Sequence, residues 1–374
     1  MSKSSKTITW LVVIVIIIAG IWYGVTRKTP PSEENPIKIG SILILTGEGA
    51  SWGTAAKNGI DMALEKINSQ GGIDGRKLVV VHEDDQSDPK NALSAFQKLT
   101  GIDGVSTIIG TTWSHTGLPL VDLAKENKTL IISPSLGVKD FNEASEYLFN
   151  TWPHDFYLSQ ELADYVYKKG HRKVALIGAQ QVWVKDQTNA FKSRFEELGG
   201  SIEVLLEPNP TDKNANTDAL KIKEKEADID AIISTTDGIL VGVQIAKRVR
   251  EIGIELPIYS ISIDADVIAA AEGAYEGMEF LTFLTPTQKF QKEYEEKYGL
   301  AIDIGAASAY DAAILIAEAM KETKSTDTAV LQEHLNKIEQ YNGVSGELVS
   351  DGKGGFTKPF LSKKVVNSIP IDIR

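Results

Sequence analysis

The stretch Ile109-Gly-Thr-Thr-Trp-Ser-His-Thr-Gly117 decides how the chain is read. Residues 105–109, just before it, form the apolar run of a short buried strand, and Leu118, Val121, Leu123 and Ala124, just after it, begin a helical pattern. The stretch is therefore a strand-to-helix turn, where backbone N–H groups lack partners and the helix dipole favours an anion. Ser114 and Thr116 add hydroxyl donors, and Trp113 adds an apolar wall. A small carboxylate suits that combination. An ordinary capped turn, its hydroxyls serving only the helix, would read the same way. Pro119 fits only a first helical turn, which places the helix start nearer Gly117 than Ser114.

The same unit recurs on either side. Residues 37–45 form an apolar strand, followed by the loop Thr46-Gly-Glu-Gly-Ala-Ser-Trp-Gly53. Ala56, Ile60, Ala63, Leu64 and Ile67 then recur at helical spacing until Gly71-Gly72. Residues 78–81 are the next strand, and Ser87 or Asp88 caps a helix with Pro89 at its first position. Strands at 107–109 and 129–132 continue the series. A second series starts near Asp155, with helices over 157–167, 186–198, 217–226 and 238–252 and strands at 173–177, 202–206, 231–234 and 257–261. Strands separated by helices of this length give right-handed crossovers and mostly parallel sheets, so two series predict two doubly wound lobes of α/β class. Residues 287–298, 305–320 and 328–338 read as helices, and 343–350 with 356–360 as a hairpin around Asp351. Helices without strands, then strands without helices, predict that the chain crosses back between the lobes.

The chain has 374 residues, 42% apolar and 24% charged, as expected for a globular protein of two domains. Its net charge of -12 argues against nucleic-acid binding, which needs basic patches. Cysteine is absent, which removes disulfides, thiolate catalysis, cysteine-ligated zinc and lipid attachment through an N-terminal cysteine. At the N-terminus, Lys3 and Lys6 precede an uncharged run over 7–26, closed by Arg27 and Lys28. As a helix this run is about 30 Å long, one bilayer core. Trp10, Trp22 and Tyr23 sit where interfacial aromatics belong, and no small-x-small cleavage site shows near 20–28. Residues 1–28 therefore read as a retained transmembrane anchor and 29–36 as a polar, proline-rich tether. Cleavage would instead leave the rest periplasmic or secreted.

Catalytic and cofactor chemistry lacks a specific signal. Glycines 47, 49 and 53 are spaced GxGxxxG, one residue off the dinucleotide fingerprint, and Trp52 blocks the approach of a pyrophosphate. That loop is either a flexible turn or a cleft loop with Trp52 aimed at a ligand. Glu83, Asp84, Asp85 and Asp88 lack the alternation and central glycine of a calcium loop. Histidines 82, 115, 154, 171 and 334 show no metal spacing, so neither metal nor cofactor is expected. Ser114 and His115 are adjacent on a turn and point apart, and no GxSxG is present, so an enzyme is not expected. Four more strand-end turns remain: Ser133-Pro-Ser-Leu-Gly137 with Ser135, Gln180-Gln-Val-Trp183, Thr235-Thr-Asp-Gly238 with Asp237, and Ser262-Ile-Asp-Ala-Asp266 with Asp264. Ligands of open parallel sheets bind at the carboxyl ends of strands. Together the turns offer anion donors from the first lobe and carboxylates plus an aromatic from the second, which suits a zwitterion such as an amino acid.

In order and spacing, several segments resemble the leucine/isoleucine/valine-binding protein family, the amino-acid branch of type I periplasmic solute-binding proteins of ABC transporters. They are Ile37-Lys-Ile-Gly40 leading to Leu45-Thr-Gly47, "ALEKINSQGGIDG" from Ala63, "VVVHEDDQSDPKNA" from Val79, "IIGTTWSHTGLP" from Ile108, "IISPS" from Ile131 and "ASAYDAAILIAEAM" from Ala307. The resemblance implies two Rossmann-like lobes joined by a three-strand hinge, one of 37–154 plus 284–341 and one of 155–283 plus 342–374. It places the carboxylate-binding serine on Ser114, the turn contacting the ligand backbone on Ser135, Leu136 and Gly137, and the two cleft aromatics on Trp52 and Trp183. The chain departs from the family at Gly137, often threonine, and at 262–264, which lack a glutamate for the ammonium group; Asp237 and Asp264 are the carboxylates at hand. The implied function is solute binding at the extracytoplasmic face of the cytoplasmic membrane, with a small carboxylate-bearing solute, an ABC permease and the membrane as partners. A ligand-sensing receptor coupled to a signalling partner is the rival on the same fold.

Overall fold

A computed structural model describes residues 32–47, 49–211, 214–236, 241–284 and 286–373. The expected anchor over 1–28 lies outside the described residues, and among those described no helix is long and apolar enough to cross a membrane.

The first half builds a parallel sheet from β1 (Ser32–Leu43), β2 (Arg76–Asp84), β3 (Thr107–Gly110), β4 (Leu130–Ser133) and β5 (Leu148–Asn150), in the order β2-β1-β3-β4-β5. The second repeats that winding. Its strands β6 (Lys173–Ile177), β7 (Ser201–Leu206), β8 (Ala231–Ser234), β9 (Ile258–Ile261) and β10 (Glu279–Phe283) run parallel in the order β7-β6-β8-β9-β10. A short antiparallel sheet, β11 (Gln340–Gly343), β12 (Gly346–Ser350) and β13 (Phe356–Thr357), contains the expected hairpin. Then β14 (Phe360–Val366) and β15 (Ile369–Ile373) extend the second sheet antiparallel from β10, an extension the sequence reading did not include.

Strand alternation divides the core. In the first sheet Ile39, Ile109 and Ile132 face one apolar cluster while Ile42, Ile108 and Ile131 face another. The helices Ala50–Ser69 and Ala306–Thr323 cover the first of these faces and touch closely. A Cβ at Gly59 would lie 2.0 Å from the carbonyl oxygen of Ala306, so only glycine lets the two backbones approach this far.

Two local expectations are corrected. The tether was to end at Pro36, but the strand begins at Ser32. Ser32 pairs with Arg76, whose guanidinium also donates to the carbonyl of Asn35 at 2.9 Å. Pairing with β3 begins only at Gly40, so Pro36 sits on a local sheet edge, where a missing N–H is tolerated. The helix after β3 starts at Ser114, not near Gly117. Pro119 is absorbed by breaking that helix into a turn at Ser114–Gly117, a 3-10 segment at Leu118–Leu120 and a second helix at Val121–Asn127.

The chain passes between the two large sheets three times, after β5, after β10 and before β14. The passages are stitched together. Thr151 donates its hydroxyl to the carbonyl of Ser308 at 2.8 Å, and the N–H of Leu284 bonds the carbonyl of Pro359 at 3.1 Å. Trp152 meets Phe283 edge-on at 6.1 Å, and the Lys358 ammonium lies 5.9 Å from the centre of the Trp152 ring.

Candidate functional site

In both sheets the strand order reverses at the first strand, between β1 and β3 and between β6 and β8. Connections leave to opposite faces there, which opens a crevice beyond the carboxyl ends of the two strands. The segments at that point are 44–47 with the start of the Ala50–Ser69 helix and 111–113 with the Ser114–Gly117 turn in the first sheet, and 178–181 with the start of the Val182–Glu197 helix and Thr235 in the second. These carry Trp52, Trp113, Ser114 and Trp183.

The first-sheet loops are held together tightly. Trp52 and Trp113 meet edge to face with ring centres 5.9 Å apart. Gly49 makes room for this pair, because a Cβ there would lie 2.6 Å from the Trp113 ring. Gly53 lets the helix start pass over Ile44, whose carbonyl oxygen is 1.8 Å from where a Cβ would be. Two of the three glycines of the GxGxxxG spacing, Gly49 and Gly53, thus serve chain packing. The acidic run is equally structural: Asp84 accepts from the N–H of Leu45 at 2.9 Å and the hydroxyl of Thr46 at 2.6 Å, and Asp88 caps the Pro89–Gly101 helix. Burial would raise the Asp84 pKa, but those donors and the N–H of Gln86 outweigh it and hold the carboxyl below the ordinary range.

The hydroxyls near the crevice divide into committed and free. Thr116 is fully buried and donates to the carbonyl of Trp113 at 3.1 Å. Ser135 donates to the carbonyl of Thr112 at 2.7 Å, which ties the β4 turn to the β3 turn. Ser114 is 8% exposed, and among the described residues nothing bonds its hydroxyl. The helix it begins is a single turn, so its dipole is small and the hydroxyl is the main donor. Leu136 is buried in the first-sheet core against Gly117, and the carbonyl of Gly137 faces Nδ1 of His154 at 3.2 Å. His154 is fully buried, with Nε2 3.3 Å from Asp351. Burial pushes Asp351 up, yet His154 and the N–H groups of Lys353 and Gly355 outweigh it and keep the carboxyl low.

From the second sheet, Trp183 is half-buried against the second-sheet core and also against the first-sheet core. Its helix, Val182–Glu197, touches the Ser114–Gly117 turn. Trp52, Trp113, Ser114 and Trp183 therefore share one region. Asp264 does not join them through any contact: it is exposed and accepts the N–H of Val267 at 2.8 Å as a helix cap. Asp237 lies outside the described residues.

Three features escaped the sequence reading. Asp186, one turn along from Trp183, has a buried oxygen without a partner among the described residues, and burial pushes its pKa up. Lys358 and Asp311, far apart in sequence, are two buried ionisable groups near the third passage that act on each other without an ion-pair contact. Ser41, His82 and Asp61 line up in the order of a hydrolytic triad, with Ser41 Oγ 2.6 Å from His82 Nδ1 and His82 Nε2 3.1 Å from Asp61. Ser41 is fully buried within β1, so no substrate reaches it, and the chain of bonds ties β1 to β2 and the helix beside them. Among the described residues no group of His, Asp and Glu could hold a metal ion.

A family model described as "Periplasmic binding protein" matches residues 36–359. A Leu/Ile/Val-binding protein homolog of Brucella melitensis is 33% identical over 216 residues, 57% of this chain and 58% of that protein. The chain spans a little over half the length of the first curated relatives it matches. Among solved structures, a leucine-binding protein of Thermotoga maritima superposes with a TM-score of 0.78 at 24% identity, covering 90% of this chain and 98% of that one. The branched-chain amino acid transporter substrate-binding protein of Streptococcus pneumoniae, in complex with isoleucine, gives 0.76 at 25% identity over 91% and 100%.

Proposed function

The chain belongs to the periplasmic binding protein family, a family of binding proteins and not of enzymes, and from that premise we propose that it is the solute-binding component of an ABC transporter. In this reading the solute is a small carboxylate-bearing molecule, an amino acid of branched-chain type, as the names of its relatives suggest. Residues 1–28 anchor it to the extracytoplasmic face of the cytoplasmic membrane. In this reading the lobes are 37–154 plus 284–359 and 155–283 plus 360–374, hinged at the stitched passages, rather than divided at 341/342, because Val344 and Ser345 donate to Asp311 and the N–H of Asn150 bonds the carbonyl of Gly354.

The observation that carries the proposal is Trp183, which follows the tip of one sheet and packs against the core of the other, on a helix that touches the turn bearing Ser114. A solute seated there touches both lobes only when they are closed. It stabilises the closed form by its differential affinity, and a permease pair reads the closed surface. Ser114 supplies a donor to the carboxylate, while Trp52, Trp113 and Trp183 supply apolar walls for an aliphatic side chain. Ser135, Leu136, Gly137 and Thr116 shape that turn from behind rather than presenting free donors.

The test is a thermal-shift screen of the full chain in detergent micelles against leucine, isoleucine, valine and a set of simple carboxylates. A ligand that binds only the native form raises the melting temperature. Saturable shifts with branched-chain amino acids are expected; no shift with any amino acid or carboxylate would overturn the proposal.

A further inference from the structure

We propose that Asp186 is the counter-ion for the ammonium group of an α-amino acid whose carboxylate rests at Ser114. The inference deepens the solute-binding reading above and rests on it. Asp186 lies three residues after Trp183 in the Val182–Glu197 helix, so the two side chains share a face. That face meets the first lobe: Trp183 packs into its core, and the charges that act on Asp186 are those of Lys139, Asp140 and His154, all on the first-lobe side or the first passage. One carboxylate oxygen of Asp186 is buried and has no hydrogen-bond partner among the described residues. Gln187, 4% exposed, has a buried side-chain oxygen beside it in the helix that is also without a partner.

A buried acceptor held away from water calls for a donor, and a carboxylate in that position calls for a cation. Lys139 does not fill the role, since its ammonium lies 6.0 Å from the centre of the Phe156 ring and makes no ion pair with Asp186. Residue 137 is glycine and offers no hydroxyl to an ammonium, and Asp264 is exposed and occupied as a cap. The first turns of a helix repel a cation, so an amine brought to this one needs a carboxylate on it. With Ser114 and Asp186 on elements that touch, one small zwitterion reaches both.

The experiment compares L-leucine with 4-methylpentanoate, the same skeleton without the amine, and L-phenylalanine with 3-phenylpropanoate, by calorimetry on the full chain in micelles. Asp186→Asn is expected to weaken the amino acid by about 30-fold or more while changing its des-amino analogue less than about twofold, with Asp186→Glu recovering part of the loss. Asp186→Ala serves if the asparagine variant does not fold. Equal losses for both probes, or no loss for the amino acid, would overturn the assignment. So would Lys139→Met reproducing the Asp186→Asn result on both probes, because Asp186 would then join the lobes. A wild-type chain that binds the carboxylates but neither amino acid overturns the counter-ion and leaves solute binding standing; one that binds none of the four overturns both.

Discussion

Replacing Lys358 by methionine should make the protein more stable, and the gain should disappear with rising pH. Lys358 is 8% exposed at the third passage between the sheets. Its neighbour Asp311 is fully buried, and the Asp311 oxygens already accept from the N–H groups of Val344 at 2.9 Å and Ser345 at 2.8 Å. Burial therefore dominates and pulls the lysine down from 10.5 to about 8, with Asp311 opposing. At about 1.4 kcal/mol per pKa unit, the gap between 10.5 and about 8 amounts to about 3 kcal/mol of cost while the lysine is charged in both states. The folded chain binds fewer protons than the unfolded chain between those two values. The cost is thus fully present below about pH 8 and fades as pH rises to 10.5. Methionine removes it, keeps most of the volume, and gives up the contact with Trp152, worth about 0.5–1 kcal/mol. The net expectation is a gain of about 2 kcal/mol at pH 7, falling below about 1 kcal/mol at pH 10. Urea unfolding of both proteins at the two pH values reads this directly. A variant less stable than wild type at pH 7, or a gain that does not change with pH, would refute the reasoning.

Ser114→Ala should weaken the binding of leucine by about 1–3 kcal/mol in calorimetry, through loss of the one uncommitted hydroxyl at the turn. Ser135→Ala should leave affinity unchanged and cost about 1 kcal/mol of stability, since its hydroxyl bonds the carbonyl of Thr112; the opposite pattern would exchange the two roles. Gly59→Ala should lower the melting temperature, because its Cβ would stand 2.0 Å from the Ala306 carbonyl and the two helices must part, at a cost of about 1–3 kcal/mol. An unchanged melt would mean the helices separate freely. Trp183→Ala removes the side chain shared by both cores, so small-angle scattering should show a larger radius of gyration and a more open average, and an unaltered profile argues against the inter-lobe contact.

Periodicity made the parallel strands and most helices legible, because buried strands such as Leu130–Ser133 are short apolar runs between turns. What it missed was set by pairing. Ser32 to Pro36 are polar or proline, and they are held to the sheet by the N–H of Ser32 on the carbonyl of Gly75 and by the guanidinium of Arg76 on the carbonyl of Asn35. In β15, Ile369 and Ile371 are exposed, so the apolar residues do not mark a buried face; the strand is held by its ladder with β14. Pairing of that kind depends on residues distant in sequence and leaves no local mark.

The site shows the same division more sharply. A sequence identifies which turns follow strands, but every such turn then looks alike, and hydroxyl-bearing residues look alike within them. Ser114 and Thr116 are two apart and both carry a hydroxyl, yet Thr116 turns inward to Trp113 while the Ser114 hydroxyl has no partner among the described residues, a difference created by one turn of helix geometry. The order of strands is what ranks the turns: reversal at β1 and again at β6 selects the loops bearing Trp52, Ser114 and Trp183 over the loop bearing Asp264, which follows β9 away from either reversal. The carboxylate that faces the other lobe is consequently not at a strand tip at all. It is one helical turn further on, at Asp186, where a reading confined to turns does not look.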